Sequence, residues 1–444
     1  MALTGGVWRP AWKAFRASAR LGRTALRSGG RCARWAAFIL IVAAATVLAR
    51  GDRVILSPAE EAAAGNRYGL VSWEFRHVPA KWLHRIYTAM PWSDTSAARR
   101  QKHLDDYLGL VRALRDARAA LEKANAAGPH DEANVAARQA LADDLTRQRD
   151  RLRDSVEEYL ESALSRVVVQ QGLNAAGGFV WPPVDFRFDQ PPRLLVTSPR
   201  DRIERQQTVL IAPDVPVAVM ERIEGALLAR ENIAAIVEAT GGLATYPTVV
   251  PAGQDLLPLL EVAAHEWLHS YLFFRPLGQQ YGQSADMTTL NETLADMAGR
   301  EVGGMAYTLL TGEMAPPLEP PRDFSAAPAR PGEFDIFMFM RETRQRTDDL
   351  LKGRDITGAE GYMEQRRVEL NTHGYQVRKI NQAYFAFHGS YGESPSSVSP
   401  IARELFELRT LSTDVGEFVR SVRGVSSYEQ FKQALKGKRA GAAG

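Results

Sequence analysis

The sequence contains a single cysteine, Cys32, among its 444 residues. One thiol excludes an intramolecular disulfide, and its early position leaves the rest of the chain without a cysteine-based metal site or thiol nucleophile. Long hydrophobic runs are equally scarce, because only residues 35–49 form a clear apolar stretch, WAAFILIVAAATVLA. A metal site or nucleophile beyond that stretch must therefore use other side chains.

Acidic residues are missing from the first 51 positions, whereas basic residues recur throughout positions 1–34. The formal net charge of the whole chain is only +3, so the part that follows this arm is slightly acidic. The basic balance thus comes from the arm and gives no reason to expect a nucleic-acid partner.

Residues 35–50 are predicted to be a transmembrane signal anchor or the hydrophobic region of a signal peptide. As a helix, the run reaches only about 22 Å, against about 30 Å for the hydrocarbon core of a bilayer. The length of the basic arm favours an uncleaved, single-pass anchor, with residues 1–34 in the cytoplasm and the remainder outside it. Cleavage after Ala49 would instead give a secreted protein, and a buried hydrophobic helix is the third alternative.

The composition changes several times along the remainder of the chain. Residues 51–95 are predicted to be a juxtamembrane segment, and residues 96–173 are rich in helix formers on either side of a breaker at 126–134. We predict an antiparallel helical hairpin there, which packs against the fold or binds a protein partner. The main domain is expected at 177–435, followed by a disordered tail at 436–444.

Strand patterns and helix patterns then follow in separate blocks. Strands are predicted within 184–189, 192–199, 206–214 and 232–250, with one helix at 216–231 between them. Later in the chain, apolar residues recur with the period of a helix, which predicts helices at 255–274, 289–312, 333–352, 358–391 and 400–435. A small mixed sheet followed by a mostly helical remainder is an α+β pattern.

The run AAHEWLHSYLFF, residues 263–274, places His265, Glu266 and His269 in an apolar setting. Histidines four positions apart project from one face of a helix and can bind one cation, while the glutamate beside them can activate a water molecule. The alternative is that both histidines are hydrogen-bonded residues of a core, because the H-E-x-x-H pattern also arises by chance. A catalytic zinc ion needs a third protein ligand, and no histidine follows closely after His269.

A glutamate from the next predicted helix can supply that ligand. The run TTLNETLADMAGREVGG, residues 288–304, offers Glu292, with Asp296 one turn further along. Thr289-x-x-Glu292 is also a capping box, in which Glu292 would only bond the backbone at the start of a helix. Two motifs in this order, on two predicted helices, favour the zinc site.

This pair of motifs, HEWLH at 265–269 and NETLAD at 291–296, resembles the gluzincin clan of zinc metallopeptidases, whose best-known members are thermolysin-like. The resemblance implies one Zn²⁺ ion, with Glu266 as the general base. It implies these ligands: His265, His269 and Glu292. It also implies that Asp296 holds His265, which agrees with the usual carboxylate partner of a ligating imidazole.

Further expectations follow from the same resemblance. The domain at 177–435 is expected to be zincin-like, and an extended substrate is expected to pair with an edge strand at 241–250. A tyrosine or histidine should stabilise negative charge on the attacked carbonyl oxygen. The run KINQAYFAFHGSYG supplies the candidates, in order Tyr384, His388 and Tyr391, unless it is an aromatic core helix. Weaker candidates are Tyr271 and Tyr281.

The leading hypothesis is a membrane-anchored, extracytoplasmic zinc peptidase that acts on peptide or protein substrates. An intramembrane protease is disfavoured, because the chain has one clear apolar run and the third ligand lies in a soluble-looking helix. The alternative from another class is a scaffold that binds a partner through residues 96–173 and has a structural or vestigial zinc site. Glu266 argues against this alternative, since a structural site needs no general base.

Overall fold

The first helices of the fold precede the predicted hairpin. The computed structural model describes residues 56–88, 96–126, 131–322 and 334–442. Helix α1 spans Pro58–Ala62 and helix α2 spans Leu70–Thr88. Trp73 on the buried side of α2 donates a 2.7 Å hydrogen bond from Nε1 to Asp189, which attaches this helix to the rest of the fold.

The described helices contradict the membrane localisation that the sequence predicted. None of the helices within the described ranges is long and apolar enough to cross a membrane. The two longest, at 97–126 and 132–170, carry charged residues along their whole length. This finding contradicts the predicted single-pass topology. The segments on which that prediction depended, the arm at 1–34 and the run at 35–50, lie outside the described residues.

Helices α3 (Ala97–Ala126) and α4 (Glu132–Gln170) form the predicted hairpin. They are antiparallel, because Tyr159 bonds to Gln101 near one end, whereas Ala117 packs with Ala142 nearer the turn. The second half of α4 contributes a row of buried side chains to the main core, namely Val156, Leu160, Ala163, Leu164, Val167 and Val168. The hairpin is therefore fastened to the fold along that half of α4.

The strands form two small sheets rather than the single mixed sheet that was predicted. Strands β1 (Phe186–Phe188) and β5 (Thr248–Val250) are parallel, with Phe186 opposite Thr248. The other sheet is antiparallel, with β2 (Arg193–Pro199) between β3 (Thr208–Ile211) and β4 (Ile233–Ala239). Helix α5 (Val217–Glu231) connects β3 to β4 and buries Met220, Ile223 and Leu227 against this sheet.

The chain after the sheets is helical, and several of its helices pack around one long buried helix. They are α6 (Leu256–Phe273), α7 (Pro276–Gln279), α8 (Ala285–Thr311), α9 (Ile336–Lys352), α10 (Ile356–Thr372), α11 (Gln382–His388), α12 (Ile401–Thr410), α13 (Val415–Val422) and α14 (Tyr428–Ala442). Helix α8 packs against α4, α6, α12 and α13 and is buried along most of its length. The described residues thus form an α+β fold, as predicted.

The predicted helix at 358–391 is wrong as a single element. Helix α10 ends before Gly374, whose φ of +88° belongs to the left-handed region that terminates helices. Helix α11 begins only after Asn381, whose side chain accepts a hydrogen bond from the backbone N–H of Tyr384. Tyr391 consequently lies in the turn after α11 rather than on a helix shared with Tyr384.

The last described helix extends into the segment that was predicted to be a disordered tail. Helix α14 runs through residues 436–442, within the segment that was expected to be a disordered tail. Arg439 forms a bidentate pair with Glu407, and Lys438 pairs with Glu417. These contacts, together with the buried Leu435, attach the helix to α12 and α13.

Two glycines of α8 allow its backbone to approach that of α6. A Cβ on Gly299 would lie 2.9 Å from the backbone nitrogen of His265, and one on Gly303 would lie 2.6 Å from the backbone of Glu261. Residues four positions apart share a helix face, so both glycines meet α6 along one line. This close approach sets the distance between the side chains that the two helices direct at each other.

Replacing Gly303 with alanine is expected to lower the free energy of unfolding by about 1–3 kcal/mol, because the added methyl group forces two packed helices apart. Gly225 of α5 provides a matched control, since a Cβ there meets no atom within 4 Å. Alanine at position 225 should stabilise the helix by up to about 1 kcal/mol. Urea unfolding of both variants tests the expectation, and equal stability of the two would contradict it.

Candidate metal centre

Helix α6 carries two candidate ligands on a mostly buried surface. Its apolar residues, such as Ala264 and Leu268, pack into the core, while the side chains of His265 and His269 remain 16% and 15% exposed. The observed bounds of α6 match the predicted helix at 255–274 to within one residue. Because the histidines are four positions apart, their imidazoles share a face, and their Nε2 atoms are 3.0 Å apart.

Helix α8 supplies the third candidate ligand from its interior. The helix begins at Ala285, and Ser284 caps it by accepting a hydrogen bond from the backbone N–H of Met287. Glu292 therefore lies about two turns inside the helix, which excludes the capping-box alternative. Its side chain is only 5% exposed and is directed at the two histidines of α6.

Three potential ligand atoms converge between α6 and α8. Glu292 Oε2 lies 3.3 Å from His269 Nε2 and 3.7 Å from His265 Nε2. This oxygen is buried and has no hydrogen-bond partner among the described residues. Zinc bonds of about 2.0–2.1 Å in tetrahedral geometry separate neighbouring ligand atoms by about 3.4 Å, which is close to these distances. The three residues therefore fit a zinc ion, and a cation there would satisfy the buried oxygen.

The charges of these groups favour a cation. Burial opposes protonation of His269, but the Glu292 carboxylate outweighs burial and raises the pKa of His269 to about 9. Burial also opposes ionisation of Glu292, yet the two imidazoles hold the pKa of its carboxyl well below the usual range. The negative charge that stabilises a proton on His269 would likewise stabilise a zinc ion, which would displace that proton when the imidazole binds it.

The residue predicted to hold His265 lies elsewhere. Asp296 accepts a 2.8 Å hydrogen bond from Arg300 and interacts with Glu393, and in the described ranges it has no hydrogen bond to His265. The side chain of Asp296 is 31% exposed, so the rotation of α8 directs it away from the three ligand atoms. Asn291 supports the other histidine instead, because its Oδ1 lies 2.8 Å from His269 Nδ1. Such a partner fixes the orientation and tautomer of an imidazole.

Glu266 lies beside the three ligand residues without being one of them. It is 9% exposed. Burial raises the pKa of its carboxyl, against the opposing effects of the two histidines and of the backbone N–H of Ala244. The chain passes close over this side chain, since a Cβ on Gly242 would lie 2.7 Å from Glu266 Oε1. Glu266 is thus a confined carboxylate next to a potential metal ion.

The loop between β4 and β5 is the part of the chain that passes over Glu266. Most of it was predicted to belong to an edge strand at 241–250, and that prediction is wrong. Only Thr248–Val250 pairs with β1, while Leu243 exchanges two backbone hydrogen bonds with Val249. The loop therefore folds back on β5 and occupies the edge that was expected to be open. Two side-chain hydrogen bonds hold it, from Thr245 to Glu74 of α2 and from Tyr246 to Asp185.

Tyr281 reaches a candidate ligand from one loop, and Arg205 reaches Tyr281 from another. Tyr281, a weak candidate in the sequence, donates a 2.5 Å hydrogen bond to Glu292 Oε1. Arg205 donates a 3.3 Å hydrogen bond to the Tyr281 hydroxyl. No sequence signal marked Arg205, because the tertiary fold alone brings the β2–β3 loop to this place.

Of the three residues predicted to stabilise the carbonyl oxygen, Tyr391 is the one placed near the ligand residues. Burial, together with the Glu292 and Glu266 carboxylates, raises the pKa of Tyr391 well above its usual range. Tyr384 packs on His388 and bonds to Ser396, and burial raises its pKa to about 12. Burial lowers the pKa of His388 to about 4. In the described ranges, neither Tyr384 nor His388 has a hydrogen bond or ion pair with the three ligand residues.

The arrangement has the parts of a hydrolytic metal centre, namely three convergent ligand atoms, an adjacent buried carboxylate and two nearby tyrosines. Comparison with known proteins adds no relative: no family model, no curated protein and no solved structure matches the chain. The functional assignment therefore depends on the chemistry of these side chains.

Proposed function

We propose that the protein is a zinc-dependent peptidase of the gluzincin type, with a zincin-like catalytic fold. The observation that supports this most is the convergence of His265, His269 and Glu292 beside a fourth buried group, Glu266, that is not a ligand. A purely structural metal site has no use for such a carboxylate, whereas hydrolysis needs a base at this position.

The side chains divide the chemistry among them. A zinc ion, when bound, supplies a Lewis acid and lowers the pKa of water. Glu266 takes a proton from the attacking water and later gives it to the leaving amine. Its confinement under the backbone of residues 242–244 limits the positions from which it can accept that proton. Tyr391, with Tyr281 as its neighbour, donates to the developing negative charge on the carbonyl oxygen.

The loop over Glu266 is the proposed guide for the substrate. Because Leu243 already covers the edge of β5, an extended peptide lies along residues 241–245 of the loop rather than along β5 itself. Main-chain hydrogen bonds would align such a peptide without selecting its side chains. The proposed substrates are therefore peptides or unfolded segments that can adopt an extended conformation.

Zinc content and peptide hydrolysis of the purified full chain test the proposal together. We expect about one zinc ion per chain, and we expect His269→Ala or Glu292→Gln to remove most of it. His103 bonds to Ser155 in the hairpin and serves as a control, so His103→Ala should retain the metal. A chelator should abolish hydrolysis of a mixed peptide library, and added zinc should restore it.

The outcomes separate the proposed function from its alternative. A protein that takes up no zinc would contradict the metal site altogether. Stoichiometric zinc without hydrolysis of any peptide in the library would favour a scaffold protein with a structural or vestigial site. Loss of zinc from the ligand variants, with parallel loss of hydrolysis, would support the peptidase.

A further inference from the structure

A cleft of about 540 Å³ opens beside the proposed catalytic centre, between the β2–β3 loop, the start of α8 and the end of α11. Tyr281, whose hydroxyl bonds to Glu292, forms part of its wall. Thr288 and Thr289 line the cleft about one turn before Glu292 on the same helix, and Ser390 lines its opposite side. The cleft therefore borders the space in which a bound peptide would react.

Arg205 gives this cleft a positive charge that pairs with no carboxylate among the described residues. Its guanidinium donates to the Tyr281 hydroxyl and lies 5.8 Å from the ring centroid of Phe387. Within the part of the chain that the structure describes, it has no ion pair with an acidic side chain. An arginine held by an aromatic ring and a hydroxyl keeps most of its hydrogen-bonding N–H groups for another partner.

The other charged groups in the cleft wall are already paired. Arg344 forms a 2.9 Å ion pair with Asp348. Glu204, the acidic residue among the described lining residues, pairs with Arg202. The remaining lining is mostly polar and uncharged, so Arg205 determines which charge the cleft attracts.

The distance from Arg205 to the reacting groups is short. Two consecutive hydrogen bonds, of 3.3 Å and 2.5 Å, connect its guanidinium through Tyr281 to Glu292. An extended chain advances about 3.3–3.6 Å per residue, so a group bound by Arg205 belongs to a position about one or two residues from the cleaved bond.

We propose that this cleft is a specificity pocket in which Arg205 binds a carboxylate of the substrate peptide close to the cleaved bond. The inference rests on the proposed peptidase function and adds its substrate class. The carboxylate comes from an aspartate or glutamate side chain or from a free carboxyl terminus. Both sources present the planar pair of oxygens that a guanidinium binds in bidentate fashion.

Matched fluorogenic peptides test the pocket. One set places Glu or Gln at each position near the cleaved bond in peptides with amidated ends, and a second set compares a free with an amidated carboxyl terminus. We expect kcat/KM to be about 10- to 100-fold higher for the carboxylate member of one set, which identifies the source. Arg205→Gln should reduce that ratio to less than about twofold, and Arg205→Lys should retain part of it.

Arg205 also contacts Tyr281, so the controls distinguish selection of the substrate by Arg205 from positioning of Tyr281 by Arg205. Lys102 is exposed on α3, and Lys102→Gln removes the same charge at a remote place without changing the ratio. If Arg205 only orients Tyr281, Arg205→Gln would slow acidic and neutral peptides equally. An unchanged ratio in Arg205→Gln would therefore overturn the pocket.

A binding measurement keeps this inference distinct from the peptidase proposal. Fluorescence anisotropy of the same peptides is measured with the Glu266→Gln protein, which needs no turnover. If the wild-type chain hydrolyses none of them, tighter binding of the carboxylate members that disappears with Arg205→Gln would still support the pocket. Equal binding of carboxylate and amide members would overturn it.

Discussion

Replacing Glu266 with glutamine is expected to slow peptide hydrolysis by about 10²- to 10⁴-fold while zinc remains bound at full stoichiometry. Glutamine keeps the size and most of the contacts of the side chain, but it cannot take a proton from water. Because Glu266 is not one of the three convergent ligands, the metal content should not change. Single-turnover hydrolysis and metal analysis of the same preparation measure both effects.

Glu261 offers a control for this substitution on the same helix. It is half-buried on α6 and faces Arg300 and Asp296 rather than the ligand residues. Glu261→Gln should leave the hydrolysis rate within about twofold, since changes away from special features are usually small. If Glu266→Gln hydrolysed peptides about as fast as this control, the proposal that Glu266 is the general base would be contradicted.

Replacing Lys81 with methionine is expected to lower the free energy of unfolding by about 3–5 kcal/mol, because it removes the lysine that pairs with the buried Glu161, whereas Glu157 keeps its ion pair with Arg187. Lys81 of α2 is 9% exposed and pairs with Glu157 and Glu161 of α4, which are 0% and 3% exposed. The two carboxylates also accept hydrogen bonds from the backbone N–H groups of Phe188 and Phe186 in β1. Urea unfolding measures the loss.

The destabilisation caused by Lys81→Met should increase as the pH rises. Burial raises the pKa of Glu161 from 4.5 to about 7, against the opposing effect of Lys81. Between those values the folded state binds more protons than the unfolded chain, so stability falls as pH rises through this window. Without Lys81 the pKa of Glu161 should rise further, so the fall should continue to higher pH and Lys81→Met should be most destabilised above pH 7.

Lys102 provides the exposed counterpart of Lys81. Its ion pair with Asp106 lies on the surface of α3, with the lysine side chain 71% exposed. Lys102→Met should change stability by less than about 0.5 kcal/mol. If Lys81→Met were as mild as this control at pH 8, the buried network would contribute little to the fold.

The convergence of the three candidate ligands was predictable because both motifs depend on local helix geometry. Four-residue spacing puts His265 and His269 on one face of any helix, whatever its surroundings. The bounds of α6 were close for the same reason, since its apolar pattern is long and strong. The place of Glu292 relative to them required only that α6 and α8, which are separated by a short segment, pack side by side.

The supporting residues were not predictable, because they depend on how helices and loops are rotated in space. The rotation of α8 about its own axis determines that Asn291, rather than Asp296, contacts a histidine. That rotation depends on the close contacts at Gly299 and Gly303. Tyr281 and Arg205 come from loops without a periodic pattern. The division of the predicted helix at 358–391 was signalled locally by Gly374 and Asn381, but the periodicity of the aromatic residues obscured it.

The hydrogen bond from Thr245 to Glu74 attaches α2 to the loop that covers Glu266. The loop that confines Glu266 is tied at one side to this helix and, through Tyr246 and Asp185, to the start of β1. A displacement of α2 would be transmitted through these hydrogen bonds to the backbone over Glu266. Helix α2, the first long helix of the fold, thus helps to hold the backbone that confines Glu266.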